Sequence, residues 1–294
     1  MSHSVGVVGL GIMGSAMAGS LMKAGYRVVG FDPLEKRRRE HRRAGGVPLR
    51  RCRDVGLEAG VVITSLPSAD ALLTTAGELA ETRPPHIVIE TSTLPIEVKE
   101  AARKRLASTG TTLLDCPLSG TGSQARARDL VVYASGDRRA YRRVSPVLDA
   151  IARAHHHVGP FGNGSKTKFV ANLLVAIHNV AAAEALVLAK KAGLDPKTTL
   201  RVVADGAGSS RMLEVRGPLM VKGNYSNALM KLGIWQKDMD IIGAFALACG
   251  AGTPLFTATV PLYAEAKRRN ASEDTAAVHR VLAESTKYKV QSRK

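Results

Sequence analysis

A chain of 294 residues with 45% hydrophobic residues is long enough for two domains, and its composition is that of a globular protein. The formal net charge of +17 is compatible with nucleic-acid binding, but the arginine clusters contain no aromatic residue for base stacking, which favours a solvated basic surface. No apolar run of about 18 residues is free of polar groups, the three cysteines lie far apart, and Met1 to Ser4 lead directly into a strand pattern. These features argue against a membrane helix, a disulfide framework and a signal peptide, and they predict a cytoplasmic protein.

The first 32 residues predict a dinucleotide site. A buried strand over residues 4–8 precedes a glycine-rich loop, a helix follows over residues 15–24, and a second strand, residues 27–31, ends at Asp32, 18 residues after the last glycine. The loop consists of Gly9, Leu10, Gly11, Ile12, Met13 and Gly14. Between a strand and a helix, Gly9 permits the tight turn, Gly11 lets the backbone approach a pyrophosphate, and Gly14 lets helix and strand pack closely. The N-terminus of the helix attracts the phosphates.

Asp32 favours NAD over NADP as the cofactor. A carboxylate at this position accepts hydrogen bonds from the ribose 2′-hydroxyl of NAD and repels the 2′-phosphate of NADP. One of the arginines from Arg37 onward could fold back onto a 2′-phosphate, but we expect them on the outer face of the next helix. The sequence therefore predicts NAD, with NADP as the alternative.

Later strand patterns end in loops that carry further candidate cofactor residues. Residues 61–65 are followed by Leu66 and Pro67, and residues 87–90 by the hydroxyl-bearing run from Thr91 to Thr93. Because ligands of open α/β sheets lie at the carboxyl ends of the strands, we predict that Leu66, Pro67 and Thr93 bind the cofactor.

The next segment predicts two more strands and a helix. Residues 113–115 begin a strand, residues 130–135 are typical of a strand, either parallel or antiparallel, and residues 144–152 are typical of a helix. Three consecutive histidines, 155–157, have no nearby carboxylate or cysteine to complete a ligand set. They indicate the edge of a strand, and no metal site is predicted.

A long helix follows the glycines Gly162 and Gly164. Those glycines indicate a loop, Ser165 is a suitable N-cap, and no Pro or Gly interrupts the pattern before Gly193. Lys168 and Asn172 are separated by four residues and share one face near the helix start. Beyond this helix the sequence is almost entirely helical in pattern.

Four stretches together resemble the β-hydroxyacid dehydrogenases, the group of 3-hydroxyisobutyrate dehydrogenase and tartronate semialdehyde reductase. They are residues 9–14, residues 115–121, residues 162–172 and the pair Lys237-Asp238. The resemblance implies an α/β fold, with a Rossmann dinucleotide-binding domain over residues 1–162 and an all-α domain for substrate binding and oligomerisation over residues 163–294. The two would be joined by the long helix, in a homodimer or homotetramer.

The same resemblance implies roles for individual residues. Lys168 would be catalytic, Asn172 would hold the substrate, and Lys237 would lie near the cofactor. The substrate carboxylate would be held by Ser119, Gly120 and Thr121. Three positions depart from the family pattern: Thr121 replaces a second glycine, Ala171 replaces the first of two asparagines, and Met230 replaces a phenylalanine.

The sequence thus predicts an NAD-dependent dehydrogenase of a small 3-hydroxy acid, or a reductase of the matching semialdehyde or ketoacid, with Lys168 as general acid/base. Burial, the positive nicotinamide and the helix N-terminus would all disfavour the charged form of this lysine. One alternative is an NADPH-linked reductase of the aldehyde or glyoxylate type. Another is a non-catalytic nucleic-acid-associated protein that keeps the fold, which the net charge favours and Lys168 and Asn172 oppose. The expected partner is a small carboxylate-bearing substrate, with no membrane and no nucleic acid.

Overall fold

The computed structural model describes residues 4–82 and 87–284. The expectation about the N-terminus concerns residues 1–3, which lie outside these ranges. The chain divides into two compact units, Met1–Lys168 and Phe169–Lys294. The predicted boundary after residue 162 coincides with the start of the long helix, whereas the two units divide after the sixth residue of that helix.

The first unit is built on a six-stranded parallel sheet. Its strands are β1 (Ser4–Val8), β2 (Arg27–Phe31), β3 (Val47–Pro48), β4 (Val61–Thr64), β5 (Ile87–Glu90) and β6 (Thr112–Asp115). They lie in the order β3-β2-β1-β4-β5-β6, and all neighbouring strands are parallel. This is the order of the doubly wound dinucleotide-binding fold, in which the strand order reverses between β1 and β4 and opens a crevice at their carboxyl ends. The predicted α/β class is confirmed, and the two-residue strand β3 was not predicted.

A second sheet of three strands completes the first unit. It contains β7 (Leu118–Ser119), β8 (Val131–Ala134) and β9 (Ala154–His157). β7 and β8 are antiparallel, one of the two orientations that the pattern at residues 130–135 allowed, and β9 forms an edge that carries the three histidines. Within residues 4–82 and 87–284, no group of three or more His, Cys, Asp or Glu side chains could hold a metal ion.

Seven helices connect these strands in the part of the first unit that the structure describes before the long helix. They are α1 (Ile12–Lys23), α2 (Glu35–Arg43), α3 (Cys52–Glu58), α4 (Ala69–Ala80), α5 (Ile96–Ala107), α6 (Gly122–Arg126) and α7 (Arg138–Ile151). Two begin earlier than predicted. α1 starts inside the glycine-rich motif because Gly11 is its N-cap, and α7 starts at Arg138 because Asp137 caps it through the Ala140 N–H.

The strands of the large sheet are buried on both faces. Val7 and Ile63 belong to the core on one face, whereas their neighbours Val8 and Val62 belong to the core on the other. Strands covered by helices on both sides are continuously apolar, so the unbroken hydrophobic runs of the sequence follow directly from this architecture.

The second unit is helical throughout its described residues. α8 (Asn163–Lys191) leads into it, and the helices that follow are α9 (Pro196–Ala204), α10 (Arg211–Lys222), α11 (Leu232–Ala248), α12 (Pro254–Arg269) and α13 (Val278–Glu284), with a 3₁₀ turn at Thr275–Ala277. α8 ends at Lys191 before Gly193, which has φ +79°, as the sequence predicted. The prediction that Ser165 is the N-cap was wrong. The helix already begins at Asn163, and the Ser165 hydroxyl donates to Asp115 instead.

By length and composition α8 is apolar enough to cross a membrane, which the sequence pattern did not indicate. It is the one such helix found among residues 4–82 and 87–284, and 39% of its most apolar window is buried in the protein. Core helices of globular proteins have the same composition. The Asn179 side chain of α8 donates to the Tyr263 hydroxyl and to the Thr275 carbonyl, so this part of α8 is bonded into the helical unit.

Candidate active site

The glycine-rich loop has the shape that its three glycines indicated. Gly9 has φ +89°, and a Cβ there would lie 2.2 Å from the Ser65 carbonyl oxygen. A Cβ on Gly14 would lie 1.8 Å from the Gly9 oxygen, so both positions exclude a side chain. A Cβ on Gly11 would meet only the Arg37 guanidinium, at 3.6 Å, and Gly11 provides no side-chain cap for α1. The first N–H groups of α1 therefore suit the diphosphate of a dinucleotide.

Asp32, at the end of β2, is tightly bonded within the first unit. Its side chain is 1% exposed, Oδ2 accepts from the Leu10 N–H at 2.9 Å and from Arg37 Nη1 at 3.0 Å, and Oδ1 accepts from the Leu34 N–H. Arg38 donates to the Pro33 carbonyl at 3.0 Å. The expectation that these arginines point outward from α2 was therefore wrong for Arg37 and Arg38. Both bend back toward the end of β2 because the buried carboxylate and exposed carbonyls offer them acceptors.

The loops after β1, β4 and β5 converge at the carboxyl edge of the sheet. The Leu66 N–H donates to the Ser92 hydroxyl at 2.8 Å, and a Cβ on Gly9 would lie 3.3 Å from the Leu66 side chain. The Thr91 hydroxyl donates to the Thr64 carbonyl. The hydroxyls of Thr91 and Ser92 thus hold these loops together. The exposed Pro67 and the half-buried Thr93 flank them.

The turn after β7 packs on the glycine-rich loop. Ser119 ends β7, Gly120 has φ +136°, and a Cβ on Gly122 would lie 2.4 Å from Ile12. The Thr121 N–H donates to Gln124 Oε1 at 3.0 Å, as in a capping box of α6. This differs from the prediction that the Thr121 amide holds the substrate carboxylate, since a threonine at this position caps a helix and its N–H is engaged there.

The start of α8 rests on a buried ion network that was not predicted from the sequence. Lys99 Nζ lies 2.6 Å from Glu90 Oε2 and 2.8 Å from Asp115 Oδ1, with all three side chains fully buried. Burial opposes the charge on Lys99, but the two carboxylates outweigh it and raise the pKa of the ammonium above its ordinary value. Ser165 donates to Asp115 through its N–H at 2.7 Å and through its hydroxyl at 2.8 Å. The first turn of α8 therefore lies at the carboxyl end of β6, and the partly buried Lys168 follows Ser165 by three residues.

A signal for this network was present in the sequence. The apolar strands β5 and β6 each end in a carboxylate, Glu90 and Asp115, and their register pairs these two residues directly. Carboxylates that end adjacent parallel strands must meet at one sheet edge, and buried like charges require a cation.

Within the second unit, Asp238 joins two of the predicted residues. The buried Asn172 donates through Nδ2 to Asp238 Oδ2 at 3.0 Å, and Lys237 Nζ lies 3.1 Å from Asp238 Oδ1. The bond to Asp238 fixes the orientation of the Asn172 amide. From the sequence, Asp238 was recognisable only as part of a motif, without a role of its own.

Two sequence families cover almost the whole chain. Residues 4–159 match the NAD binding domain of 6-phosphogluconate dehydrogenase. Residues 162–282 match the family described as NAD-binding of NADP-dependent 3-hydroxyisobutyrate dehydrogenase.

Individual relatives agree with these matches. The chain is 36% identical to an L-threonate dehydrogenase of Cupriavidus necator over 247 residues, which cover 82% of this chain and 83% of that protein. It is 31% identical to an NAD-dependent L-serine dehydrogenase of Pseudomonas aeruginosa, covering 88% of this chain and 90% of that protein. The solved structure of Mycobacterium tuberculosis 3-hydroxyisobutyrate dehydrogenase with L-serine superposes with a TM-score of 0.88 at 28% identity, over 96% of this chain and 99% of that one. The chain therefore belongs to the β-hydroxyacid dehydrogenase family and is an NAD(P)-dependent oxidoreductase that acts on a CH–OH group.

Proposed function

We propose that Lys168 is the general acid/base of this dehydrogenase and that its substrate is a small 3-hydroxy acid, oxidised to the semialdehyde or ketoacid or formed by the reverse reaction. The observation that carries the proposal is the position of the first turn of α8. Ser165 binds Asp115, the last residue of β6, so the segment that contains Lys168 begins at the sheet edge where open α/β sheets bind ligands.

In the oxidation, Lys168 Nζ in its neutral form accepts the proton of the substrate hydroxyl as the carbinol carbon becomes a carbonyl. In the reduction, the ammonium returns that proton to the carbonyl oxygen. NAD or NADP, when bound, supplies the hydride acceptor or donor. Asn172, one turn further along α8 and oriented by Asp238, would hold the substrate beside Lys168.

The substrate carboxylate would be held by the Ser119 hydroxyl and the Gly120 N–H. The Thr121 N–H donates to Gln124, so Thr121 would serve the site by capping α6 and shaping the turn. The relatives are named for L-threonate, L-serine and 3-hydroxyisobutyrate, which are all small carboxylates with a hydroxyl group close by. This shared chemistry supports the proposed substrate class.

The cofactor would occupy the carboxyl edge of the large sheet. Its proposed contacts there are Gly9, Leu10, Gly11, Ile12, Met13, Gly14, Asp32, Leu66, Pro67 and Thr93. We assign residues 1–162 to the cofactor-binding domain and residues 163–294 to the substrate and oligomerisation domain. The family matches, which end at residue 159 and begin again at residue 162, support this division.

The protein would act as a homodimer or homotetramer in the cytoplasm. Large apolar side chains of α8 are exposed, including Val170 at 59% and Leu188 at 70%, and such residues are typical of surfaces covered by a second copy. Cys52, Cys116 and Cys249 are all free thiols, as expected in a reducing compartment.

Substitution of Lys168 tests the proposal directly. Lys168→Ala should lower kcat by at least about 10²-fold with little change in NAD affinity. Lys168→Arg should lower kcat as well, because a guanidinium does not deprotonate and so cannot accept the proton of the substrate. Lys166→Ala is the matched control, since Lys166 is an exposed lysine of the same turn, and it should keep native kinetics. Near-native kcat with a raised KM in Lys168→Ala would show that Lys168 binds the substrate and does not transfer its proton.

A further inference from the structure

Five polar side chains form a closed network beneath the first turn of α8. We call this the anchoring network, and its members are Glu90, Lys99, Asp115, Ser135 and Ser165. Each is at most 1% exposed, so none can contact solvent. A charged network is costly to bury in the first unit, and a purely structural support could have been apolar. Its position suggests that it serves the residues that follow directly in α8.

Asp115 accepts as many hydrogen bonds as a carboxylate can. Oδ1 accepts from Lys99 Nζ and from the Ser165 hydroxyl, both at 2.8 Å. Oδ2 accepts from the Ser165 N–H at 2.7 Å, and the Ser135 hydroxyl lies 3.1 Å from it. Two oxygens offer about four lone-pair sites, and a donor group faces each of them here. The Ser135 hydroxyl shares its one proton between Oδ2 and the Asp115 carbonyl oxygen, which lies 3.2 Å away. The position of Ser165 is therefore specified by two bonds to a carboxylate that is itself immobilised.

The network also fixes how closely α8 approaches the sheets. The Gly164 N–H donates to the Ser135 hydroxyl at 2.9 Å. A Cβ on Gly164 would lie 2.3 Å from the Tyr133 carbonyl oxygen and 2.6 Å from that of Asp115. The helix start thus packs against the backbone of β6 and β8, and this contact cannot adjust without moving the helix.

Charge balance explains why a lysine completes the network. Glu90 and Asp115 bring two negative charges to one buried site, and Lys99 supplies one positive charge within 2.8 Å of both. The N-terminus of α8 contributes the partial positive charge of its dipole, because two of its first N–H groups point at Asp115 and Ser135. Lys99 and the helix N-terminus therefore both face the Asp115 carboxylate, which accepts two bonds from Ser165.

We propose that Asp115 and Ser165 are positioning residues for Lys168, because they hold the first turn of α8 in the one placement that brings the lysine amine to the reacting hydroxyl. The inference rests on the proposed role of Lys168 as general acid/base. Residues 165 and 168 are helical neighbours, so a displacement at Ser165 is passed to Lys168. Misplacement of a catalytic group by about 1 Å can lower a rate by up to about 10²-fold.

The test compares Ser165→Ala with Thr167→Ala. Ser165→Ala removes one bond to Asp115 and leaves the backbone bond, whereas the Thr167 hydroxyl donates only to the Asn163 carbonyl of its own helix. We expect Ser165→Ala to lower kcat by about 10-fold while KM and the Kd for NADH change by less than about twofold. Thr167→Ala should keep native kinetics. Ser135→Ala, which removes the acceptor of the Gly164 N–H, is the second variant. It should likewise lower kcat and leave KM nearly unchanged.

Combination with Lys168→Ala separates this inference from the proposed function. If Ser165 acts through Lys168, adding Ser165→Ala to Lys168→Ala should lower the residual activity no further. If Ser165→Ala lowers kcat by the same factor in the native protein and in Lys168→Ala, the inference is overturned while Lys168 remains the acid/base. Native kcat in both Ser165→Ala and Ser135→Ala would have the same consequence. Near-native kcat in Lys168→Ala would overturn the proposed function and this inference together. Thermal melting of each variant identifies any that does not fold.

Discussion

The Asp32 carboxylate lies 3.0 Å from the Arg37 guanidinium at the end of β2. A carboxylate at this position generally favours the 2′-hydroxyl of NAD, whereas the guanidinium offers a cation that a 2′-phosphate could use. Because Asp32 is buried and also bonded to two backbone N–H groups, we expect its charge to dominate the choice of nucleotide.

Nucleotide affinity is the first prediction. NADH should bind more tightly than NADPH in a fluorescence titration. Asp32→Ala should reduce the ratio of the Kd for NADPH to the Kd for NADH, and Arg37→Ala should increase this ratio. Arg39→Ala is the control, since Arg39 pairs with Glu35 on the exposed side of α2 and should leave both affinities unchanged. Tighter binding of NADPH by the native protein would contradict the prediction and identify Arg37 as the dominant contact.

Substrates with a carboxylate should be preferred over simple alcohols. Hydrogen bonds from Ser119 and Gly120 to a charged oxygen are worth roughly 1.5–3 kcal/mol each, which is about tenfold or more in kcat/KM. Ser119→Ala should raise KM for a hydroxy acid and leave an uncharged alcohol unaffected, whereas Ser108→Ala, at an exposed serine that follows α5, should affect neither. Equal kcat/KM for an alcohol and its hydroxy-acid analogue would rule out this turn as a carboxylate site.

The basic surface should bind DNA only weakly. The exposed arginines of α2 and α7 can contact phosphates, but contacts to phosphates alone weaken steeply as salt increases. A fluorescence-anisotropy titration with duplex DNA should therefore show binding that is lost on approaching physiological salt. Sub-micromolar affinity that persists at physiological salt would instead support the nucleic-acid-associated alternative.

His41 should make the protein less stable as the pH falls below about 6.5. The ring is 5% exposed, its Nε2 lies 3.2 Å from the Val28 carbonyl, and burial lowers its pKa. The folded protein protonates this histidine only at a lower pH than the unfolded chain does, so the unfolded state binds more protons as the pH drops and the free energy of unfolding decreases.

Urea denaturation between about pH 8 and pH 5 measures this effect. His41→Gln removes the titrating group, so the free energy of unfolding should depend less on pH in this variant than in the native protein. His156→Gln, at an exposed histidine of β9, is the control and should keep the native pH dependence. An unchanged pH dependence in His41→Gln would show that His41 is protonated to the same extent in both states.

Local patterns along the chain were enough to predict much of the fold. The apolar runs of β1, β2, β4 and β5 indicated strands, and the run of β1 indicated a buried strand, because a sheet covered by helices leaves no strand face for water. Gly9 and Gly14 indicated a strand–turn–helix unit, since a positive φ and a close approach each exclude a side chain. The end of α8 before Gly193 was predicted for the same reason.

Interactions between distant residues were decided only by the tertiary structure. Asp115 and Ser165 are separated by 50 residues, and no local pattern shows that a strand end and a helix start will meet. Likewise the bond from Arg37 to Asp32 depends on the position of the buried carboxylate at the end of β2. The helical pattern of α2 alone favoured an arginine that points outward. The sequence by itself determined the helices and strands, their order along the chain and the residues whose side chains can bind a ligand or transfer a proton. It could do so because backbone conformation and hydrophobic periodicity are local. Packing determined which charges are buried together and that Asp115 meets Ser165, because burial makes each unpaired polar group costly and so specifies its partner.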